Sequence, residues 1–411
     1  MQNGSSPPCR LCAAPLERTF VDLGVSPLAN SYLERDDLLR GESFYPLRVF
    51  VCEECLLVQL PVFVTPDAIF DEYAYFSSVS DSWVDHARRY VEAAVGRFDL
   101  DSRSRVVEIA SNDGYLLQFF VERDIPALGV EPSANVAAAA EERGIPTVVE
   151  FFGTELGERL AAEGGAADLV IGNNVLAHVP DLHDFVEGLR RLVAPSGVIT
   201  MEFPHVLQLI HEKQFDTIYH EHFSYLSLHA VERLFGDHGL RLFDVEELPT
   251  HGGSLRIFAC ADGRPEADAL ERVRQAERDA KLDRIEGYAG FEQAARTVKR
   301  DLLAFLADEK RRGHSIVGYG AAAKGNTLLN YCGIRSDYLD YVVDRSPEKQ
   351  GRFLPGTRLP ILEPDEVRRT RPDVLLVLPW NLAAEVAEQM RDVREWGCRL
   401  VVPIPEVRVL D

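Results

Sequence analysis

Cysteine placement constrains this chain before anything else does. Cys9, Cys12, Cys52 and Cys55 form two Cys-x-x-Cys pairs with 39 residues between them. Four soft thiolates in two matched pairs suit a closed tetrahedral site, for zinc ahead of iron. A site with all four positions filled by protein offers no vacancy to a substrate. The metal is therefore expected to be structural, stapling a module whose own core is too small to hold it together. A disulfide framework is the weaker reading in a reducing compartment, and a redox pair needs one Cys-x-x-Cys at a helix start, not two. Cys260, Cys332 and Cys398 lie in or beside strand-like segments and read as small apolar residues.

The 411 residues leave room for two or three domains, each with its own core. After the module, 70–82 reads as a surface loop rich in hydroxyls and aromatics, and 83–97 as a helix. Two runs then alternate strand-like and helix-like segments. The first has strands expected at 105–110, 127–131, 147–149, 168–173 and 197–203, with helices at 115–123, 134–143 and 183–192. A hairpin of 240–248 with 254–260 closes that sheet. A charged helical stretch over 266–312 leads to a second run, with strands at 315–319, 338–344, 373–378 and 399–403. Alternation of this kind predicts an α/β fold with mostly parallel sheets covered on both faces. The expected layout is a zinc-binding module over 1–70, a Rossmann-like domain over 71–262, and bridging helices with a second Rossmann-like domain over 263–411.

Charge removes several function classes. Lys plus Arg is 44 against 66 Asp plus Glu, a formal charge of −22. Such a surface has no general grip on nucleic acid or on anionic membrane. An anion can be held only in a local pocket of backbone amides and a few cations. No apolar run approaches the roughly 20 residues of a membrane span, and residues 1–8 lack a signal-peptide pattern, so a cytoplasmic location is expected.

The first α/β run opens with Val106-Val107-Glu108-Ile109-Ala110-Ser111-Asn112-Asp113-Gly114. A carboxylate near a strand end precedes a tight loop into a helix, where small residues let a nucleotide-like ligand approach the backbone. Glu131, 23 residues after Glu108, ends the second strand, where an acid accepts hydrogen bonds from ribose hydroxyls. Ala110 and Asn112 replace two glycines of a Gly-x-Gly-x-x-Gly loop. That departure disfavours a dinucleotide and favours S-adenosylmethionine (SAM), held by Glu108, Ala110, Asn112, Gly114 and Glu131. Asn173 and Asn174, ending the fourth strand, add a third strand end to the same site. An α/β turn that binds nothing is the plain alternative.

Tyr219-His220-Glu221-His222-Phe223-Ser224-Tyr225 is the densest ionisable cluster. Its His-x-His admits a metal site, though without an obvious third or fourth ligand. It also admits a pair of structural histidines, or acid–base chemistry by an imidazole beside a phenol. In the second run, Gly318-Tyr319-Gly320-Ala321-Ala322-Ala323-Lys324-Gly325-Asn326 lies between strand and helix and forms a local anion site. Asp344, 24 residues beyond Gly320, ends the next strand near a ribose position. Read alone, this is an NAD site, which makes a nicotinamide-dependent oxidoreductase or epimerase the competing function. A glycine-rich packing turn is the plain alternative. A zinc-stabilised module binding protein or RNA is a third reading, opposed by the charge.

Taken in order, these motifs resemble the SAM-dependent sugar C-methyltransferases that act on nucleotide-linked keto sugars in antibiotic deoxysugar pathways. The likeness covers essentially the whole length. It includes Tyr73-Ala74-Tyr75-Phe76-Ser77-Ser78 and Thr250-His251-Gly252-Gly253-Ser254-Leu255-Arg256, besides the cysteine pairs and the three motifs above. The resemblance implies SAM as cofactor and a dTDP-linked 4-keto-deoxysugar as substrate, methylated on the carbon beside the ketone, C3 before C5. It implies that His222 is the base and that Tyr219 lies by the carbonyl, with Tyr73, His178 and Glu221 lining the same pocket. It further implies that Gly318, Gly320, Lys324, Asn326 and Asp344 hold the nucleotide-linked part. Tyr73 and the loop at 77–82 are then placed to close over the cleft.

Overall fold

The computed structural model describes residues 6–65 and 76–410. The N-terminal module is an antiparallel sheet of β1 (Arg18–Ser26), β2 (Tyr45–Val51) and β3 (Val58–Gln59). Leu47, Val49 and Val51 alternate inward along β2, the period-two pattern of a half-buried strand. Cys52 and Cys55 form the turn from β2 to β3, and Cys9 and Cys12 precede β1, so both cysteine pairs converge at one end of the sheet.

The central domain carries β4 (Val106–Ile109), β5 (Ala127–Val130), β6 (Thr147–Val148), β7 (Ala167–Asn173) and β8 (Val193–Pro204). The two-residue β9 (Ser224–Tyr225) follows, then the hairpin β10 (Arg241–Leu248) and β11 (Ser254–Cys260). The sheet order is β10-β11-β8-β7-β4-β5-β6, parallel except where β11 runs against β8 and β10. All four residues of β4 are buried, as expected of a strand covered on both faces. The chain reverses its direction of travel across the sheet between β4 and β7, which opens a crevice at their carboxyl ends. β9 leaves this sheet and joins the module, pairing Tyr225 with Val58 and Ser224 with Gln59.

The charged stretch expected as helical over 266–312 is two helices, Asp268–Asp279 and Phe291–Arg311, with Gly290 in left-handed backbone (φ +89°) just before the second. Phe291 stacks on Phe20 of β1 at 4.5 Å between ring centroids, so this helix shares a core with the module. The C-terminal sheet follows as β12 (Ile316–Tyr319), β13 (Val342–Val343), β14 (Ile361–Leu362), β15 (Val374–Val377), β16 (Arg399–Val402) and β17 (Arg408–Leu410). Its order is β14-β13-β12-β15-β16-β17, parallel except for β17, with the reversal between β12 and β15. The architecture is thus an N-terminal metal module and two Rossmann-like units. Among the described residues, no helix is long and apolar enough to cross a membrane.

Candidate active site

At the carboxyl edge of β4 and β7, buried acceptors lack partners. Glu108 is fully buried, and among the described residues neither carboxylate oxygen has a hydrogen-bond partner. Burial, with Asp113 and Glu131 nearby, pushes its carboxyl well above the usual range. Ser111 Oγ, Asp113 Oδ1, Asn173 Oδ1 and Asn174 Oδ1 are likewise buried without a partner among the described residues. Unsatisfied buried acceptors cost free energy, so a cluster of them calls for a ligand rich in donors. SAM fits that acceptor set, with hydrogen-bond donors on its ammonium and ribose hydroxyls and a second positive charge on its sulfonium. Glu131 accepts N–H groups from Ser133 (2.9 Å) and Asn112 (3.1 Å), which leaves lone pairs for a ribose. Ala110 (φ +58°), Asn112 (φ +50°) and Gly114 (φ +76°) all take left-handed backbone, so the loop keeps a glycine-like path through two residues that are not glycine. Ser77 N–H donates to Asn112 Oδ1 at 2.8 Å, which ties the segment leading into the helix at 81–97 to this loop. Tyr73 lies outside the described residues.

The loop from Gln214 to Leu226 meets this edge from below, held by the module. Leu60 N–H donates to Phe223 O (2.9 Å), and Phe223 N–H to Ala177 O (2.8 Å). The two histidines divide their roles. His220 is buried, and its Nε2 donates to Pro46 O on β2 (3.2 Å), a structural contact. His222 is half-buried, and its Nδ1–H donates to Thr217 O at 2.7 Å, which leaves Nε2 as a lone pair. Tyr219 lies against the His222 ring at 4.0 Å, and His178 meets it edge-on at 4.7 Å. Burial and His178 hold His222 well below the usual imidazole range, and burial holds His178 at about 4, so both are neutral near pH 7. Glu221 is buried, accepts a hydrogen bond from Asn30 Nδ2 of the module (2.7 Å), and is pushed by burial up to about 7. Among the described residues, only the cysteines group as metal ligands, so nothing supports a metal at His-x-His.

The C-terminal unit forms the opposite wall. Lys324 donates to Asn381 Oδ1 (2.7 Å) and lies 4.9 Å from the centre of the Trp380 ring. Trp380 Nε1–H donates to the fully buried Asp216 (2.8 Å), whose carboxyl burial pushes up to about 7. His251 has left-handed backbone (φ +54°), accepts from Asn174 Nδ2 (3.1 Å), and packs on Trp83 at 5.1 Å. Of the residues read from the glycine-rich motif, the structure thus brings Lys324 to the loop at 214–226. Gly318 and Gly320 instead allow close packing, since a Cβ would lie 2.9 Å from Val342 Cγ2 and 2.5 Å from Pro379 Cδ respectively. Asp344 accepts N–H groups from Ala321 (2.7 Å) and Ser346 (2.8 Å). Asn326 is buried, with Oδ1 taken by Asn330 (3.2 Å) and Nδ2 unpartnered among the described residues. Sequence reasoning gave no role to Asp216, His251, Trp380, Asn381 or Asn30. His251 stood inside a quoted motif and Asp216 three residues before Tyr219, whereas Asn30 carries no local signal.

In the module, the Sγ atoms of Cys9 and Cys55, and of Cys12 and Cys52, are each 3.5 Å apart, and all four lie within 4.8 Å of one another. Tetrahedral zinc with Zn–S near 2.3 Å would space its sulfurs by roughly 3.8 Å, so the donor set fits that ion. The other three thiols are pushed up by burial, Cys260 to about 11 and Cys332 and Cys398 to about 12, which keeps them protonated and apolar in character.

Three family models match this chain in tandem: a zinc-binding domain over 9–70, a methyltransferase domain over 83–245 and a C-methyltransferase C-terminal domain over 249–405. The chain is 36% identical over 404 residues to C-methyltransferase NovU of Streptomyces niveus, covering 98% of this chain and 96% of that one. Trans-aconitate 2-methyltransferase of Azoarcus sp. (strain BH72) is 27% identical over 124 residues, 30% of this chain and 47% of that one. The crystal structure of magnesium protoporphyrin IX methyltransferase from Synechocystis PCC 6803 with bound SAH aligns at a TM-score of 0.36 and 16% identity, over 44% of this chain and 83% of that chain.

Proposed function

This chain belongs to the SAM-dependent C-methyltransferase family that NovU represents, and from that premise we propose that it methylates C3 of a dTDP-linked 4-keto-deoxysugar. SAM, when bound, supplies an electrophilic methyl group on its sulfonium. Glu108, Ala110, Asn112, Gly114, Glu131, Asn173 and Asn174 would hold it, the acceptors among them facing its cationic and hydroxyl groups.

The ketone acidifies the neighbouring C3–H. His222 takes that proton on Nε2, while Thr217 O, already bonded to Nδ1–H, stabilises the imidazolium that forms. Tyr219 donates to the oxygen on which negative charge develops. His178 and Glu221 border the base, the latter oriented by Asn30. The nucleotide end extends toward the β12 edge, where Asn326 and Asp344 lie beside the packing glycines Gly318 and Gly320. Such a reaction involves small molecules alone, in the cytoplasm, without nucleic acid or membrane, in keeping with the charge of −22.

The single observation that carries this reading is the tautomer of His222: a neutral imidazole with a bare Nε2, between a phenol and a second imidazole. The nicotinamide alternative has less support, because the glycines it relies on serve packing. Incubating the enzyme with a dTDP-4-keto-deoxysugar in D2O tests the base directly. The wild type should wash deuterium into C3, and His222→Asn should lose that exchange and turnover while keeping its SAM affinity. Full turnover by His222→Asn would remove His222 as the base.

A further inference from the structure

Lys324 occupies a position that a diphosphate clamp does not explain. It is the second residue of the helix Ala323–Cys332. One turn later, Thr327 Oγ1–H donates to Ile218 O at 3.0 Å, and side chains three residues apart share a helix face. The face that bears Lys324 is therefore fastened to the loop running from Asp216 to His222. Trp380 then fixes the ammonium in place. Its ring face lies 4.9 Å from Nζ, and its Nε1–H is given to Asp216, which enriches the ring and strengthens its hold on a cation. The far edge of the same indole bears on the turn carrying His251, where a Cβ on Gly252 would lie 2.5 Å from Cη2. Asp216, His222 and His251 are thus the titratable groups that face Lys324 from the elements packed around it. Among the described residues, no carboxylate lies within ion-pair distance of Nζ, and Asn381 Oδ1 is its one hydrogen-bond acceptor. A half-buried ammonium keeps N–H donors free beside the catalytic loop.

We infer that Lys324 is a further catalytic residue, its ammonium aimed by Trp380, Asp216 and Asn381 at the ketone oxygen of the sugar, where it acts with Tyr219. The inference rests on the α-deprotonation reading above. As the C3–H bond breaks, its electron pair becomes the C3=C4 double bond, the carbonyl π pair moves onto oxygen, and the proton rests on His222 Nε2. Lys324 keeps its protons and contributes a hydrogen bond and a fixed positive field where the charge develops. Burial lowers the lysine from its usual range, and Asp216 opposes that shift. Trp380, Asp216 and Asn381 are positioning residues.

The test uses the full-length enzyme with SAM and the dTDP-keto-sugar, and dTDP alone as the probe of nucleotide binding. Lys324→Met preserves length and removes the charge. It should lower kcat by about 10²–10³-fold and slow deuterium wash-in at C3 in parallel. The Kd for dTDP should stay within twofold, and ethylammonium added to Lys324→Ala, whose shortened side chain leaves room for it, should restore part of the rate. Retained kcat with dTDP binding weakened tenfold or more would overturn the inference and return Lys324 to the diphosphate. Trp380→Phe provides a second, milder variant, expected to cost about tenfold in kcat with dTDP affinity unchanged; unaltered kcat there would also count against the inference. Failure of the wild type to exchange C3–H would remove the deprotonation reading and this inference with it. Exchange by the wild type and equally by Lys324→Met would overturn this inference alone.

Discussion

The central and C-terminal sheets follow one plan. In each, the first strand ends in a tight loop, the second ends at a carboxylate, and that carboxylate accepts a backbone N–H from the loop: Glu131 from Asn112, and Asp344 from Ala321. What differs is how much each edge leaves unfinished. The edge of β4 and β7 holds Glu108, Ser111, Asp113, Asn173 and Asn174, all with buried acceptors unpartnered among the described residues. At the edge of β12 and β15 the glycines instead admit Val342 and Pro379. A glycine-rich turn with a downstream acid therefore describes how such a loop is built. Unpaired buried acceptors are the better mark of where a cofactor belongs.

Replacing the two sets of residues should separate these roles, with the largest effect at Glu108. Glu108→Ala should weaken SAM by at least about 100-fold in calorimetry, the loss of a charge-assisted contact together with its neighbours, while circular dichroism stays native. Undiminished SAM binding would erase the contrast between the edges. Gly320→Ala forces a Cβ into Pro379 at φ +92°, and should destabilise by about 2–4 kcal/mol in denaturant titration without altering SAM affinity. Asp344→Ala removes the acceptor of two backbone N–H groups and should cost about 1–3 kcal/mol, again with SAM affinity kept.

Stability against pH sharpens the comparison further. Asp216 and Glu221, both raised to about 7 by burial, bind protons more tightly folded than unfolded. Stability therefore falls as pH rises from the ordinary carboxylate range through about 7. Asp216→Asn and Glu221→Gln should each flatten that decline in melting temperature between pH 4.5 and 7.5; an unchanged slope would deny these carboxyls their burial cost. The smallest effect is expected at Ala110, where Gly relieves left-handed strain but adds freedom to the unfolded chain. Ala110→Gly should gain at most about 1 kcal/mol in thermal melts.

Much of this was legible in sequence because parallel strands buried on both faces are contiguous apolar runs, as at Val106–Ile109. The hairpin at Ser254–Cys260 and the convergence of the four cysteines were equally plain. The module's sheet was not. β3 and β9 are two residues each and pair across 167 residues, so no local pattern announces them. That pairing also explains why the histidine cluster stayed ambiguous: His220 is seen to be structural only once Pro46 lies beside it. Asn30 reaches Glu221 from 191 residues away. Lys324 was found by its motif, yet its orientation depends on Trp380 and Ile218, which only the packed domains bring together.

Calorimetric titration of the purified protein with SAM and, separately, with NAD decides which edge holds the cofactor. SAM should bind with micromolar affinity at the edge of β4 and β7, and NAD should not bind. NAD binding without SAM binding would contradict that placement and move the chemistry to the edge of β12.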